Sequence, residues 1–392
     1  MAEARWLASG NWSRYVSRRL KAPSLERPKQ FIEWLLDFGK REPGRVLYPT
    51  SDDVAFLYAR HRDELARYFQ LYQPPVEAIY ALLNKQRLTR AAAAVGLEMP
   101  PSWLPRDDAD LAQIGASLSF PVLIKPQTQI LYFPHPKGML VTELKDLAAA
   151  YETFSKRARH ADELLSFDPM AHRPLLQAFY PGARRGIYNL SGFVDESGEL
   201  MIARASRKVL QRPRKLGIGV CFEWAPVRPE LVEQLAALCR DIGYYGVFEV
   251  EFIEQDERAL LLDFNPRFYG EMGFDMARGV SLPLFAYLAA IGRREELRRA
   301  IEKARIQPDV PTQAYCHRFM LEVGLWAQQL SGTLSRSEVS QWRNWLSERR
   351  GNLVDAVHDP QDRFPGLVEV ASHVYAYARH PRAFMHQVVL DR

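Results

Sequence analysis

Glu249, Glu251, Asp263, Asn265 and Arg267 sit at alternate positions of two apolar segments, 246–253 and 261–267, which the polar run 254–258 separates. β-branched and aromatic residues alternating with polar ones read as two strands, and the polar run reads as the turn of a hairpin. Side chains two apart on a strand share a face. Glu249 and Glu251 therefore point one way, and Asp263, Asn265 and Arg267 line one side of the partner strand. Paired across a hairpin, these faces concentrate oxygen ligands. Carboxylates and an amide oxygen, with no His or Cys among them, suit a hard cation such as Mg²⁺, and such a site usually holds a nucleotide. Pro266 ends regular pairing, and Arg267 then offers a planar fork to a phosphate or carboxylate beside the cation. A surface hairpin with solvated charges carries the same residue types.

The order Glu-x-Phe followed by Asp-x-Asn-Pro-Arg resembles the metal-binding core of the ATP-grasp superfamily, whose members include carboxylate–amine ligases, D-alanine ligase and carbamoyl-phosphate synthase. The last strand of that family usually reads Glu-x-Asn-Pro-Arg, so Asp263 stands in the Glu position as a shorter carboxylate. The resemblance covers most of the chain between Lys85 and Gly292. It implies ATP as nucleotide and Mg²⁺, with Mn²⁺ as a substitute, held by Glu251, Asp263 and Asn265. It also implies an α/β (α+β) architecture, an ATP-grasp fold with an abbreviated N-terminal α/β domain and a helical C-terminal extension. The expected divisions are 1–105 for the N-terminal domain, 106–182 and 183–295 for the small and large ATP-grasp subdomains, and 296–392 for the extension.

Elements upstream must position the rest of such a site. Phe120 to Lys125 is a short apolar run stopped by Pro126, which reads as a buried strand with a directed Lys at its end. Lys125 resembles the strand-borne Lys that holds nucleotide phosphates in the family. The family then uses a glycine-rich loop, whose small residues let backbone N–H groups approach the anion. Residues 127–138 instead hold one Gly, two Pro and two aromatic residues, which departs from that lid, and Lys137 is the residue there able to reach a phosphate. Gln177, Ala178, Phe179 and Tyr180, before Pro181 and Gly182, resemble the hinge whose backbone binds adenine. A ribose carboxylate is unassigned, because Ala183, Arg184, Arg185 and Gly186 follow. A polar helix is expected around Glu152 to Leu165. Helices are expected over 54–68 and 76–95, the second adjusted near Asn84 and Lys85, and Lys85 resembles the family's helix-borne Lys that contacts ATP.

Arg204, Arg207, Lys208, Arg212, Arg214 and Lys215 cluster after a hairpin spanning 188–204. Aromatic residues do not interleave with them as stacking platforms would, so they read as a phosphate- and carboxylate-binding strand with Arg204 and Lys208 foremost, not as a nucleic-acid interface. Tyr269 and Glu271 either select a nucleophile or pack locally. The helix 229–240 presents one apolar face and is scaffold.

With 392 residues, 47% hydrophobic and 25% charged, the chain can bury several cores, and its formal charge of +5 suits an anionic substrate. No apolar run approaches the roughly 18 residues of a membrane span, and the first twenty residues carry no signal-peptide core, so no membrane partner is expected and the cytoplasm is the expected compartment. Cys221, Cys239 and Cys316 lack metal spacing and read as free thiols. Trp326, Trp342 and Trp345 read as helix-borne core residues, and His317, His358 and His373 as structural. Relatives begin with a strand–helix–strand unit that Met1 to Leu20 do not match, and a partner subunit in a homo-oligomer would cover the apolar surface so left.

The resemblance implies an ATP-dependent ligase that activates a small-molecule carboxylate as an acyl phosphate and joins it to an amine, releasing ADP and phosphate. Lys125 and Arg267 would stabilise developing charge. Two alternatives stay open: a carbamoyl-phosphate-synthase-like enzyme with another acceptor, and a nucleotide-binding protein that has lost catalysis.

Overall fold

The computed structural model describes residues 2–3, 7–134, 138–181, 186–212, 218–255 and 258–390. The N-terminal part is helical with minimal strands. Helix α1 (Pro28–Arg41) buries Phe31, Ile32, Leu35 and Phe38 along one stripe. Helix α2 (Asp52–Arg60) is capped by Ser51, whose Oγ accepts from the Val54 amide at 3.2 Å. It is shorter than its apolar pattern suggested, because the chain turns at His61 into a one-turn helix, Arg62–Leu65. A two-residue parallel ladder joins Arg45–Val46 to Phe69–Gln70. Helices α3 (Val76–Leu83) and α4 (Lys85–Ala94) break at Asn84, whose Oδ1 caps the Gln86 and Arg87 amides. That cap brings Lys85 to the first position of α4.

A four-stranded antiparallel sheet follows, built from β1 (Ser102–Trp103), β2 (Val122–Lys125), β3 (Met139–Val141) and β4 (Leu175–Ala178) in the order β1-β4-β2-β3. Helices α5 (Asp108–Ser117) and α6 (Leu147–Ser155) pack on Val122, Ile124 and Leu176. Strand alternation puts Lys125 and Gln177 on the opposite face. The helix expected through Leu165 stops at Ser155. Arg159–His160 pairs with Tyr132–Phe133 instead, and only the single turn Asp162–Leu165 resumes the helix, so tertiary pairing overrides local propensity here.

The large sheet contains β5 (Ile187–Val194), β6 (Met201–Arg212), β7 (Ile218–Ala225), β8 (Gly246–Gln255), β9 (Arg258–Asn265), β10 (Ala314–Cys316) and β11 (Leu353–Asp355), in the order β9-β8-β5-β6-β7-β10-β11. All neighbours are antiparallel except β10 and β11. Tyr188, Leu190, Phe248, Val250 and Phe252 turn one face toward helix α7 (Pro229–Ile242) and the N-terminal helices, forming the largest core. The opposite face is divided. Phe193, Ile202 and Val247 lie in a second core with helix Leu282–Ala290 and helix α8 (Arg294–Arg305). The rest of that face is polar.

Helix α9 (Arg318–Leu330) and helix α10 (Arg363–Arg379) complete the C-terminal part, whose strands β10 and β11 widen the large sheet. Trp342 and Trp345 pack against the core there, but Trp326 is 62% exposed and is not a core residue. All three cysteines are free, as their number and spacing implied, and the fold buries them. Among the described residues, no helix is long and apolar enough to cross a membrane.

Candidate active site

The polar half of the large sheet's face is assembled by register. Glu251 lies directly opposite Asp263 and Glu249 opposite Asn265 on the β8–β9 hairpin, while Asn189 and Ser191 of β5 lie opposite Glu251 and Glu249. Ser206 pairs with Asn189, and Lys208 follows one pleat along β6. A bulge at Leu262 shifts the β8–β9 ladder, so Leu261 and Phe264 both reach the core while Asp263 keeps to the polar face. The carbonyl of Leu262 accepts from Lys85 Nζ at 3.1 Å, and the same ammonium reaches Asp263 Oδ1 at 2.5 Å. Helix α4 is thereby tied to the hairpin by a residue that also faces the polar cluster.

Lys208 Nζ donates to Glu251 Oε1 at 2.6 Å. Both this lysine and Glu249 are buried. Burial works against the Lys208 charge, but Glu251, with Glu249 and Glu271 behind it, raises the ammonium's pKa on balance. Burial, then the neighbouring Glu271 and Glu251, push the Glu249 carboxyl well up, and burial pushes Glu271 up to about 7. At Asp263 burial is opposed by Lys85 and Lys125, which hold the carboxyl low. Asn265 donates its amide to Glu249 and accepts from Arg267 Nη2 at 2.9 Å. Arg267 also binds Asp52 Oδ1, in the first turn of α2, at 2.5 Å and the Phe268 carbonyl at 3.1 Å.

A hard cation fits this donor set. Glu249 Oε1 and Asn189 Oδ1 are buried on adjacent strands with no hydrogen-bond donor, beside the carboxylates of Glu251 and Asp263. Buried oxygens without donors are costly unless a cation or water satisfies them. Lys85 and Lys208 now balance Asp263 and Glu251, so a cation held there takes over part of that compensation.

Lys125 projects from the end of β2 toward the same cluster, donating to Gln177 Oε1 at 2.9 Å. Burial, then the nearby Lys85 charge, push its ammonium down to about 8. An ammonium that binds phosphate must be protonated, so ADP affinity is expected to be highest below that value and to fall as pH rises through it. Titration calorimetry above about pH 7.5, where nucleotide phosphates are already ionised, reads this loss directly. The decline should disappear in Lys125→Met, and its persistence there would assign it elsewhere.

The structure thus gathers Lys85, Lys125, Gln177, Lys208, Glu251, Asp263, Asn265 and Arg267. Ala178, Phe179 and Tyr180 leave the small sheet at the end of β4, and the Ala178 amide is already spent on the Pro101 carbonyl at 2.9 Å. Lys137, Arg214 and Lys215 lie outside the described residues. Arg204 is not brought to the cluster. Its Nη2 donates to the Ala304 and Gln307 carbonyls at 2.8 and 3.2 Å and its Nε lies 3.4 Å from Asp309, so it closes the C-terminal end of α8. Arg204→Ala is expected to lower unfolding free energy by about 2 kcal/mol in a denaturant titration, with nucleotide affinity unchanged. Tyr269 packs in the core and donates to Asp275, whereas Glu271 faces Asn189 Nδ2 at 3.4 Å. Asn189 escaped the sequence reading, although its alternation with Tyr188 and Leu190 marks it as facing away from the core.

No protein-family profile matches the chain. Its fold is similar to the biotin carboxylase domain of 2-oxoglutarate carboxylase from Hydrogenobacter thermophilus, with TM-score 0.56 and 17% identity over 72% of this chain and 62% of that one. It is also similar to L-amino acid ligase from Bacillus licheniformis, with TM-score 0.53 and 14% identity over 76% and 68% of the two chains. The chain has the ATP-grasp fold. In sequence it is 23% identical to D-aspartate ligase of Enterococcus faecium over 71% of this chain and 67% of the relative. It is 25% identical to the carbamoyl phosphate synthase large chain of Myxococcus xanthus over 55% of this chain, a match that spans only 19% of that relative's length.

Proposed function

We propose that this chain is an ATP-dependent ligase that activates a small-molecule carboxylate as an acyl phosphate and joins it to an amine. The observation that carries the reading is the convergence, on one polar sheet face, of two phosphate-suited lysines from separate elements with an all-oxygen cation site: Lys85 on α4 and Lys125 on β2, beside Glu251, Asp263 and Asn265. The sequence similarity to D-aspartate ligase supports a carboxylate–amine ligase.

In the first step a carboxylate oxygen of the acid attacks the γ-phosphorus of ATP, the bond from that phosphorus to the β,γ-bridging oxygen breaks, and ADP leaves. Lys125 and Lys85 place positive charge beside the phosphates, and Arg267 offers the same to the transferring group, stabilising charge where it develops. Glu251, Asp263 and Asn265 would hold Mg²⁺, which would supply Lewis-acid neutralisation of phosphate oxygens. In the second step the amine attacks the acyl carbon, the carbon–oxygen bond to phosphate breaks, and the amine's proton passes to a base. Glu271, whose carboxyl burial pushes up to about 7, is a group on this face suited to accept it.

Positional isotope exchange tests the first step in isolation. ATP carrying oxygen-18 in the β,γ-bridge is incubated with Mg²⁺ and pooled carboxylic acids, without amine. Acid-dependent movement of the label to a non-bridging β position is expected, since the terminal β-oxygens of bound ADP become equivalent before the phosphoryl group returns. Bound ATP whose label never moves with any acid would contradict the reading.

A further inference from the structure

His317, Glu369 and His373 gather at the far edge of the large sheet. His317 stands where β10 passes into α9, and Glu369 and His373 lie one turn apart on α10. One ligand atom from each lies within 4.8 Å of the others. His373 Nε2 is 3.1 Å and His317 Nε2 3.9 Å from the same carboxylate oxygen, Glu369 Oε1. The two imidazoles meet edge to face at 5.8 Å, and His373 is flanked by Phe319 and Tyr377. Strands β5, β6 and β7 intervene between β10 and the Glu251-bearing β8, a separation of roughly 19 Å at about 4.8 Å per strand.

We propose that His317, Glu369 and His373 bind a divalent transition metal, Zn²⁺ foremost, that bolts helix α10 to the edge of the large sheet. Two imidazole nitrogens and one carboxylate oxygen form a borderline donor set, which favours Zn²⁺ over the oxygen-seeking Mg²⁺ of the nucleotide site. Zinc bonds of about 2.0–2.2 Å in tetrahedral geometry separate ligand atoms by roughly 3.3–3.5 Å, and the 3.1 and 3.9 Å observed bracket that range. Three protein ligands leave the fourth position to water. His317 Nδ1 now accepts from the Met320 amide at 3.4 Å, a long contact that is given up when Nε2 takes the metal and the ring proton moves to Nδ1. The start of α10 is already held to the N-terminal segment, since Ser13 Oγ and the Arg14 amide donate to Asp362 at 2.5 and 3.1 Å. The metal therefore completes a clasp between chain start, sheet edge and C-terminal helix.

The full chain, stripped with chelator, is titrated with Co²⁺ as a spectroscopic probe, followed by Zn²⁺ as competitor. One equivalent per chain with visible ligand-field bands, displaced by Zn²⁺, is expected. His317→Ala and His373→Ala should each weaken binding more than ~100-fold, beyond the effect of losing an outer partner, while Asp263→Asn at the nucleotide site should leave it unchanged. His373→Gln, checked by circular dichroism, replaces any alanine variant that does not fold. Zn²⁺ should raise the thermal midpoint of the parent chain and not of the folded histidine variants. Absence of a stoichiometric band, or a band that survives both histidine substitutions, overturns the proposal.

Discussion

Asp263→Asn is expected to lower Mg²⁺-dependent ADP formation by about 10³-fold, equivalent to roughly 4 kcal/mol of transition-state stabilisation. The substitution keeps size and shape. Lys85 retains its contact with the Leu262 carbonyl at 3.1 Å, so the tie between α4 and the hairpin survives while the carboxylate is lost. Two consequences separate a chemical role from a structural one. The Mg²⁺ concentration giving half-maximal rate should rise, and unfolding in denaturant should shift by no more than about 1 kcal/mol, the scale of one charged pair with a partly exposed partner. A variant that turns over at the parent rate would remove Asp263 from the metal site.

Lys125→Met is the second large effect. The ammonium is the group that reaches the nucleotide cluster from the small sheet, and burial has already stripped much of its hydration, so its charge acts through a poorly screening medium. Its loss is expected to weaken ADP binding by about 100-fold and to lower turnover at saturating ATP by a further ~10-fold, because the charge is needed most as phosphate oxygens gain charge in transfer. Calorimetry and steady-state rates read the two parts separately. Lys125→Arg should not restore either, since a planar guanidinium on a longer stem does not reproduce the point charge that donates to Gln177 Oε1 at 2.9 Å. Full activity in Lys125→Met would contradict the phosphate role.

Local pattern made some of this legible in advance. Alternation placed Glu249, Glu251, Asp263 and Asn265 on one face of a hairpin, and the β8–β9 ladder has that form. The order Glu-x-Phe and Asp-x-Asn-Pro-Arg pointed to the ATP-grasp superfamily, which the structural neighbours and matched relatives bear out. The break between α3 and α4 was visible in Asn84, a residue that caps more readily than it continues a helix. Contacts between distant segments were not legible. Arg204 and Lys208 look alike along β6, and only the arrival of α8 decides that Arg204 closes a helix end while Lys208 meets Glu251. The bulge at Leu262 that lets Lys85 bind a strand carbonyl leaves no mark in composition. Glu369 and His373 could be placed on one helix face by their spacing, but His317 joins them only because β10 docks beside β7. Trp326 failed for a related reason, since helical spacing does not say which face of α9 meets the core.

The measurement that tests the central claim most directly is ADP release with Mg²⁺ and hydroxylamine across pooled carboxylic acids, with hydroxamate scored in parallel and Asn265→Ala as the control. Hydroxylamine stands in for the amine, so the acid can be found by splitting the pool. Equal amounts of ADP and hydroxamate, both lost in Asn265→Ala, are the predicted result. ADP released without hydroxamate from any acid, or product formed undiminished by Asn265→Ala, would contradict acyl-phosphate chemistry at this site.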